Sequence, residues 1–240
     1  MRTKRDLSII VFGYAFPHKK TYDFLKVLNK EGFKSIDVIA APWVELKSNN
    51  TAYKNDDVVY DIKNICYLLG LNYHECKHED IQKIEIIKNK SGAELGIISG
   101  ARIIKSNIIE LFKDGIVNFH TGKIPETSGL DSFYYSIKNN CPMGVTAHLI
   151  DERVDAGRFI FFDQVEVKID NKVEDLKENI YIAQLKALSR YLRDYLQQET
   201  KFNKIDRPHK NISLSLAEKK NIILGFEEWK ENQINLQNSK

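Results

Sequence analysis

The chain has 240 residues, 42% hydrophobic and 29% charged, with a net charge of +3. This is an ordinary balance for a soluble globular protein of one large domain with, at most, a modest appendage. The positive charge is mild and consists mostly of lysines spread among acids, which disfavours a nucleic-acid face. No apolar run approaches the roughly 20 residues of a membrane span, and the start reads as a strand rather than a secretory signal.

Leu7–Phe12 is a continuous apolar run closing on Gly13, as expected of a parallel strand buried on both faces. Lys19–Phe33 has helical periodicity, with Tyr22, Leu25 and Leu28 on one stripe and Gly32 near its stop. Ser35–Ala41 is the next strand, ended by Pro42. A helix is expected over about Asp57–Leu69, a short strand over Asn72–Cys76 and a helix to about Asn89. Leu95–Ser99 is strand, Ser106–Lys113 helix, and Gly115–His120 strand again. Strand and helix alternate, so the expected class is α/β, a doubly wound, mainly parallel, Rossmann-like sheet. Its ligand edge would carry Gly13, Pro42, Ser99 and His120. Beyond Pro142 the texture changes. Val145–Ile150 and Phe159–Val167 read as an antiparallel strand addition, and about Val173–Gln197 as one long helix. The catalytic domain is placed at residues 1–198 and a short C-terminal extension at 199–240. In that extension Ile212–Leu216 alternates as a half-buried strand does, and Ile222–Leu224 is a second apolar run.

Three cysteines, Cys66, Cys76 and Cys141, form no Cys-x-x-Cys pair and suit a reducing cytoplasm. His74, Cys76 and His78 share a face if extended, but no partner cluster lies nearby in sequence, and no metal is expected.

Chemistry concentrates at the end of the strand Gly115-Ile-Val-Asn-Phe-His120. Positions two apart on a strand point the same way, so Asn118 and His120 share a face. An amide can hold an oxyanion and an imidazole can manage a proton, which suits attack on a carbonyl. Asp155, 37 residues past Asn118, can orient and charge the imidazole. The spacing alone also fits a loop-capping Asn beside a structural His.

Gly115-Ile-Val-Asn-Phe-His-Thr-Gly-Lys-Ile-Pro125, followed by Gly144-Val-Thr-Ala-His-Leu-Ile-Asp-Glu-Arg-Val-Asp-Ala-Gly157, resembles the formyltransferases that use N10-formyltetrahydrofolate. The resemblance extends over about residues 7–165. It implies Asn118, His120 and Asp155 as the catalytic set, with Asp155 favoured over Asp151 by spacing. It also implies that Ser99, Gly100, Arg102, Ile103 and Ile104 bind the folate pterin, with Asp151 and Gly157 as a second wall. The first loop, Gly13–Lys20, lacks the Gly-Asn-Gly-Ser-Asn phosphate cradle of glycinamide ribonucleotide enzymes. The chain is also short for the C-terminal domain of methionyl-tRNA enzymes, and in Gly122–Gly129 Ser128 stands where the family's common Ser-Leu-Leu-Pro-x-x-Arg-Gly continuation has Arg. By elimination it looks most like the nucleotide-sugar N-formyltransferases. The implied acceptor is a dTDP-4-amino-4,6-dideoxyhexose for surface polysaccharide (O-antigen, lipopolysaccharide) synthesis. Lys123, Tyr134, Tyr135 and Trp43 are candidate substrate contacts, the aromatics and Trp229 having packing as their alternative. A cytoplasmic homodimer without nucleic-acid or membrane partners is expected. Other readings are a glycinamide ribonucleotide or small-amine formyltransferase and a non-catalytic folate- or nucleotide-binding protein.

Overall fold

The computed structural model describes residues 3–4, 7–44, 60–153, 155–205 and 211–239, and the chain divides into two compact units, 1–116 and 117–240. The first unit is built on β1 (Ile9–Tyr14), β2 (Ile36–Ala41), β3 (Asn72–Glu75) and β4 (Leu95–Ile98). These strands are parallel in the order β3-β2-β1-β4. Ile9, Ile10, Val11 and Phe12 are fully buried, as a strand covered on both faces must be. Gly13 is the penultimate residue of β1, which runs one residue past the expected stop, while Pro42 and Ser99 directly follow β2 and β4 at the same edge of this unit.

Helices α1 (Lys19–Lys30), α2 (Ile62–Leu69), α3 (Ile81–Ser91) and the short α4 (Ser106–Ile109) alternate with these strands. Of the helix expected from Asp57, residues 57–59 lie outside the described residues. The described helix begins after Asp61, whose carboxylate accepts from the Asn64 amide at 2.9 Å. Gly70, left-handed at φ 67°, ends it. Asp61→Ala should lower stability by about 1 kcal/mol, the usual worth of an N-cap. An unchanged urea midpoint would show the cap to be idle.

The second unit opens within β5 (Gly115–His120) and adds β6 (Gly144–Leu149), β7 (Arg158–Gln164) and the two-residue β8 (Asn203–Lys204). The order is β5-β6-β7-β8, antiparallel throughout. The α/β class expected from the sequence is the one observed, with parallel strands first and antiparallel strands after. Helix α5 (Ser132–Lys138) follows β5, and the long α6 (Val173–Leu196) closes on the strands. Gln184 on α6 donates to the Phe119 carbonyl at 2.7 Å, and Tyr191 meets the Phe119 ring edge-on.

The C-terminal segment differs from expectation. Ile212–Leu216 is not a strand, and the irregular tail is largely helical: α7 (Leu216–Leu224) and α8 (Phe226–Asn238). The alternation is only five residues long. Ser215 and Glu218 close a capping box across it, and such a box starts a helix at the next residue. Ile222–Leu224 therefore lies on a helix. Trp229 is packing, 2% exposed with its indole N–H donating to the Cys141 carbonyl at 3.0 Å. No helix among the described residues is long and apolar enough to cross a membrane.

Candidate active site

The β5–β6 register builds the site in the second unit. Asn118 lies opposite His148, and His120 opposite Thr146. Asn118, His120, Thr146 and His148 thus form one polar patch in an otherwise apolar pair of strands.

His148 is fully buried. One ring nitrogen, Nδ1, faces the Ala156 carbonyl at 2.9 Å. A carbonyl only accepts, so Nδ1 carries the proton. Nε2 is left with its lone pair, which accepts from the Asn118 amide nitrogen at 3.2 Å. Burial lowers the His148 pKa to about 4, aided by nearby His120 and opposed by the Ala156 hydrogen bond and Asp155. The ring is therefore neutral near pH 7, in the tautomer that can hold Asn118. One Asn118 N–H is fixed, and the other remains to meet a developing oxyanion.

His120 is 9% exposed. Its Nε2 donates to the Thr127 carbonyl at 2.9 Å, and its Nδ1 lies 3.2 Å from the Asp155 carboxylate. The same carboxylate oxygen accepts the Gly129 amide at 2.6 Å. Both nitrogens of His120 therefore face oxygen acceptors. Asp155 adopts φ 48°, a left-handed conformation that a non-glycine residue holds at some expense. Here the carboxylate contacts to Gly129 and His120 keep it there. Of the two acids weighed from the sequence, Asp155 is the one beside the imidazole. Asp151 pairs instead with Arg153. Partial burial works against its ionisation, but the Arg153 side-chain and backbone hydrogen bonds prevail and hold its pKa below the usual carboxylate value.

Gly157 has φ 102°, and a Cβ there would collide with the Leu149 carbonyl and the Asp151 amide. Only glycine lets the turn close this tightly, which brings Asp155 back over β6. Val154, part of the same motif, lies outside the described residues. Thr146 secures the loop after His120: its hydroxyl donates to the Gly122 carbonyl at 2.5 Å and accepts from the Ile124 amide at 3.2 Å. In that loop Lys123 pairs with Glu126 at 2.6 Å. Tyr134 is half-buried, with Lys177 and Lys219 over its ring. Tyr135 is buried and donates to the Ile212 carbonyl at 3.2 Å.

The pterin-contacting candidates belong to the first unit. Ser99 is buried, and its hydroxyl donates to the Phe12 carbonyl at 2.9 Å. The Ser99 and Gly100 amides donate to that same oxygen, which ties the loop to the end of β1. Residues Ala101–Ile104 are neither helix nor strand, so their peptide groups lie outside any ladder and suit recognition of a planar heterocycle. Ile104 is buried and Ile103 exposed, while Arg102 donates to the Pro42 carbonyl at 2.9 Å. Trp43 is 61% exposed and meets Phe16 edge-on at 4.9 Å. His74 bonds Asp37 at 2.7 Å, whereas His78 is buried against the Ile39 carbonyl.

Sequence reasoning missed His148, Thr146, Thr127 and Gly129. The first two were within reach: they alternate along a strand lying antiparallel to the one bearing Asn118 and His120. The other two act through backbone atoms: any residue offers the Thr127 carbonyl, and Gly129 signals only a left-handed turn (φ 97°).

Comparison with known proteins adds the following. The formyl transferase family profile matches residues 69–192. The methionyl-tRNA formyltransferase of Finegoldia magna is 24% identical over 139 residues, 53% of this chain and 44% of that protein. The chain thus spans less than half of that curated relative. The N-formyltransferase from Helicobacter canadensis, solved in complex with folinic acid and dTDP-3-aminofucose, is 19% identical with a TM-score of 0.62, over 92% of this chain and 80% of that one. Phosphoribosylglycinamide formyltransferase from Streptococcus pneumoniae is 16% identical with a TM-score of 0.59, over 79% of this chain and 99% of that one. At these identities the structural likeness is one of fold.

Proposed function

This chain belongs to the formyl transferase family, and from that premise we propose that it moves a formyl group from N10-formyltetrahydrofolate to the amine of a nucleotide-linked amino sugar. The observation that carries the reading is the placement of Asn118, His120 and Asp155 around one strand end, with Asp155 3.2 Å from the imidazole. The acceptor amine attacks the formyl carbon. Asn118 stabilises the tetrahedral oxyanion through its remaining N–H, and His120 assists and handles the amine proton. Asp155 holds His120 and a water that relays the proton. Collapse breaks the bond to N10 of the folate and releases tetrahydrofolate.

Ser99, Gly100, Arg102, Ile103 and Ile104, with Asp151 and Gly157, are the folate contacts of this reading. Lys123, Tyr134, Tyr135 and Trp43 are its acceptor contacts. The exposed Trp43 ring supports a role in stacking a base. The acceptor is a dTDP-4-amino-4,6-dideoxyhexose, the enzyme is a cytoplasmic homodimer, and the product enters surface polysaccharide. The missing phosphate cradle in Gly13–Lys20 supports this branch over glycinamide ribonucleotide.

A panel of dTDP-amino sugars and glycinamide ribonucleotide, each assayed with and without N10-formyltetrahydrofolate, tests the reading. Formylation of an amino sugar should require the folate and release tetrahydrofolate in equal amount. Much faster formylation of glycinamide ribonucleotide moves the enzyme to purine synthesis. Transfer supported equally by formate and ATP removes the folate.

A further inference from the structure

The segment after residue 210 lies outside the region matched by the family profile, residues 69–192, yet it is fastened to the loop that holds both reacting groups. The Asn211 amide donates to the Ser128 carbonyl at 2.8 Å, and the Asn211 carbonyl accepts from the Leu130 amide at 3.1 Å. The Ile212 carbonyl accepts the Tyr135 hydroxyl at 3.2 Å. The Leu214 amide donates to the Asp131 carboxylate at 2.8 Å, and the Ser213 hydroxyl reaches the same oxygen at 3.4 Å. Lys219, on the first turn of α7, pairs with the other Asp131 oxygen at 2.7 Å. Backbone groups that would serve a strand ladder are thus spent on one loop. Asn211 is 3% exposed, and a Cβ on Gly129 would run into its carbonyl, so strap and loop are in direct contact.

The gripped stretch is short. Within Thr127–Leu130, the Thr127 carbonyl takes His120 Nε2 and the Gly129 amide takes the Asp155 carboxylate. We propose that Asn211–Leu214 is a positioning strap: by fixing Ser128, Leu130 and Asp131 it sets the Thr127 and Gly129 groups that aim His120 and Asp155 at each other. Asp131 is its anchor. That residue makes no capping bond to its own helix α5 and sits left-handed at φ 57°, so its side chain is committed to the strap. The inference rests on the catalytic roles given above to His120 and Asp155.

The anchor can be removed without disturbing the backbone. Asp131→Gly suits the left-handed conformation and deletes only the carboxylate, whereas Asp131→Asn keeps an acceptor for the Leu214 amide and tolerates the same φ. Three readouts on the full chain decide. Amide exchange over residues 127–130 and 211–214 should quicken in Asp131→Gly. The His120 Nε2 proton, which the Thr127 carbonyl accepts, observed by nitrogen-15 spectroscopy of the histidine rings, should broaden or vanish as that carbonyl is released. Turnover of a dTDP-amino sugar should fall about tenfold or more, as small misplacements of reacting groups do, with KM within about twofold. Asp131→Asn should restore all three. Unchanged exchange in Asp131→Gly overturns the strap. So does faster exchange with an intact Nε2 signal and unaltered turnover. Asp131→Asn as defective as Asp131→Gly would assign the effect to the Lys219 ion pair and overturn it too. If the wild type formylates no acceptor in the panel, the functional reading fails, while exchange and the Nε2 signal still decide the strap.

Discussion

Asn118→Ala and His120→Ala should each lower kcat by about 10²–10⁴-fold while leaving a folded protein, the range typical of an oxyanion donor or a proton-transfer group. The two losses have different origins. Asn118→Ala removes the N–H proposed to meet the oxyanion and leaves His148 Nε2 without its 3.2 Å partner. His148 keeps its bond to Ala156, so the fold survives. His120→Ala removes the proposed proton carrier and leaves the Thr127 carbonyl and the Asp155 carboxylate without the ring that both now face. Asp155→Asn is the informative third variant. Asn tolerates the left-handed φ of 48° and can still accept the Gly129 amide, but it presents no charge to the imidazole. It should fall in the same kcat range with KM little changed, because these groups act in the transition state rather than in binding. The double variant His120→Ala with Asp155→Asn should be scarcely worse than His120→Ala alone, since Asp155 works through the imidazole. Circular dichroism and a urea midpoint establish folding. Turnover near that of the wild type in either the Asn118 or the His120 variant ends the catalytic assignment.

Much of this arrangement was legible in the sequence, for a physical reason. Parallel strands buried on both faces are nearly all apolar, so β1 stands out as a continuous run and β2 as one broken only by Asp37, with Gly13 near the end of the first and Pro42 just after the second. Against such a background two polar residues at i and i+2, Asn118 and His120, are conspicuous. A residue required for its backbone is conspicuous only if it is glycine, as Gly157 is. What stayed hidden depends on pairing. His148 matters because register sets it opposite Asn118, and a local pattern does not contain register. Thr127 contributes a carbonyl that every residue possesses, and Gly129, although its left-handed φ of 97° calls for glycine, contributes an amide whose partner only the fold reveals. The tail was misread because five alternating residues suit a strand and a strap equally. The deciding signal, the Ser215–Glu218 capping box, was present but outweighed by the alternation.

His148 also ties the site to acid stability. A ring that is neutral and buried in the folded chain takes up a proton on unfolding once the pH falls below the ordinary histidine value of 6.5, whereas the folded form resists until about 4. The folded pKa is the lower one. The stability is therefore fully present above about pH 6.5 and is lost progressively as the pH falls toward 4, at a limiting slope of about 1.4 kcal/mol per pH unit for each excluded proton. His18 contributes in the same direction. Burial, with Lys20 nearby, lowers its pKa to about 4, and its Nδ1 must keep a lone pair to accept the Thr21 amide that it caps at 3.2 Å. His78, buried against the Ile39 carbonyl, is also shifted down, chiefly by desolvation. The wild type should therefore lose unfolding free energy steeply between pH 6.5 and 4.5 in urea titrations. His148→Gln keeps a side chain able to accept from Asn118 and donate to Ala156 but cannot titrate. Its slope in that window should be shallower by about one proton, even if its stability at pH 7.5 is lower. Activity should respond with the same sign, because protonating His148 removes the lone pair that fixes Asn118 and sets that amide adrift. Equal slopes for the variant and the wild type across this window would show that His148 is not held neutral, and the account of how Asn118 is aimed would fall with it.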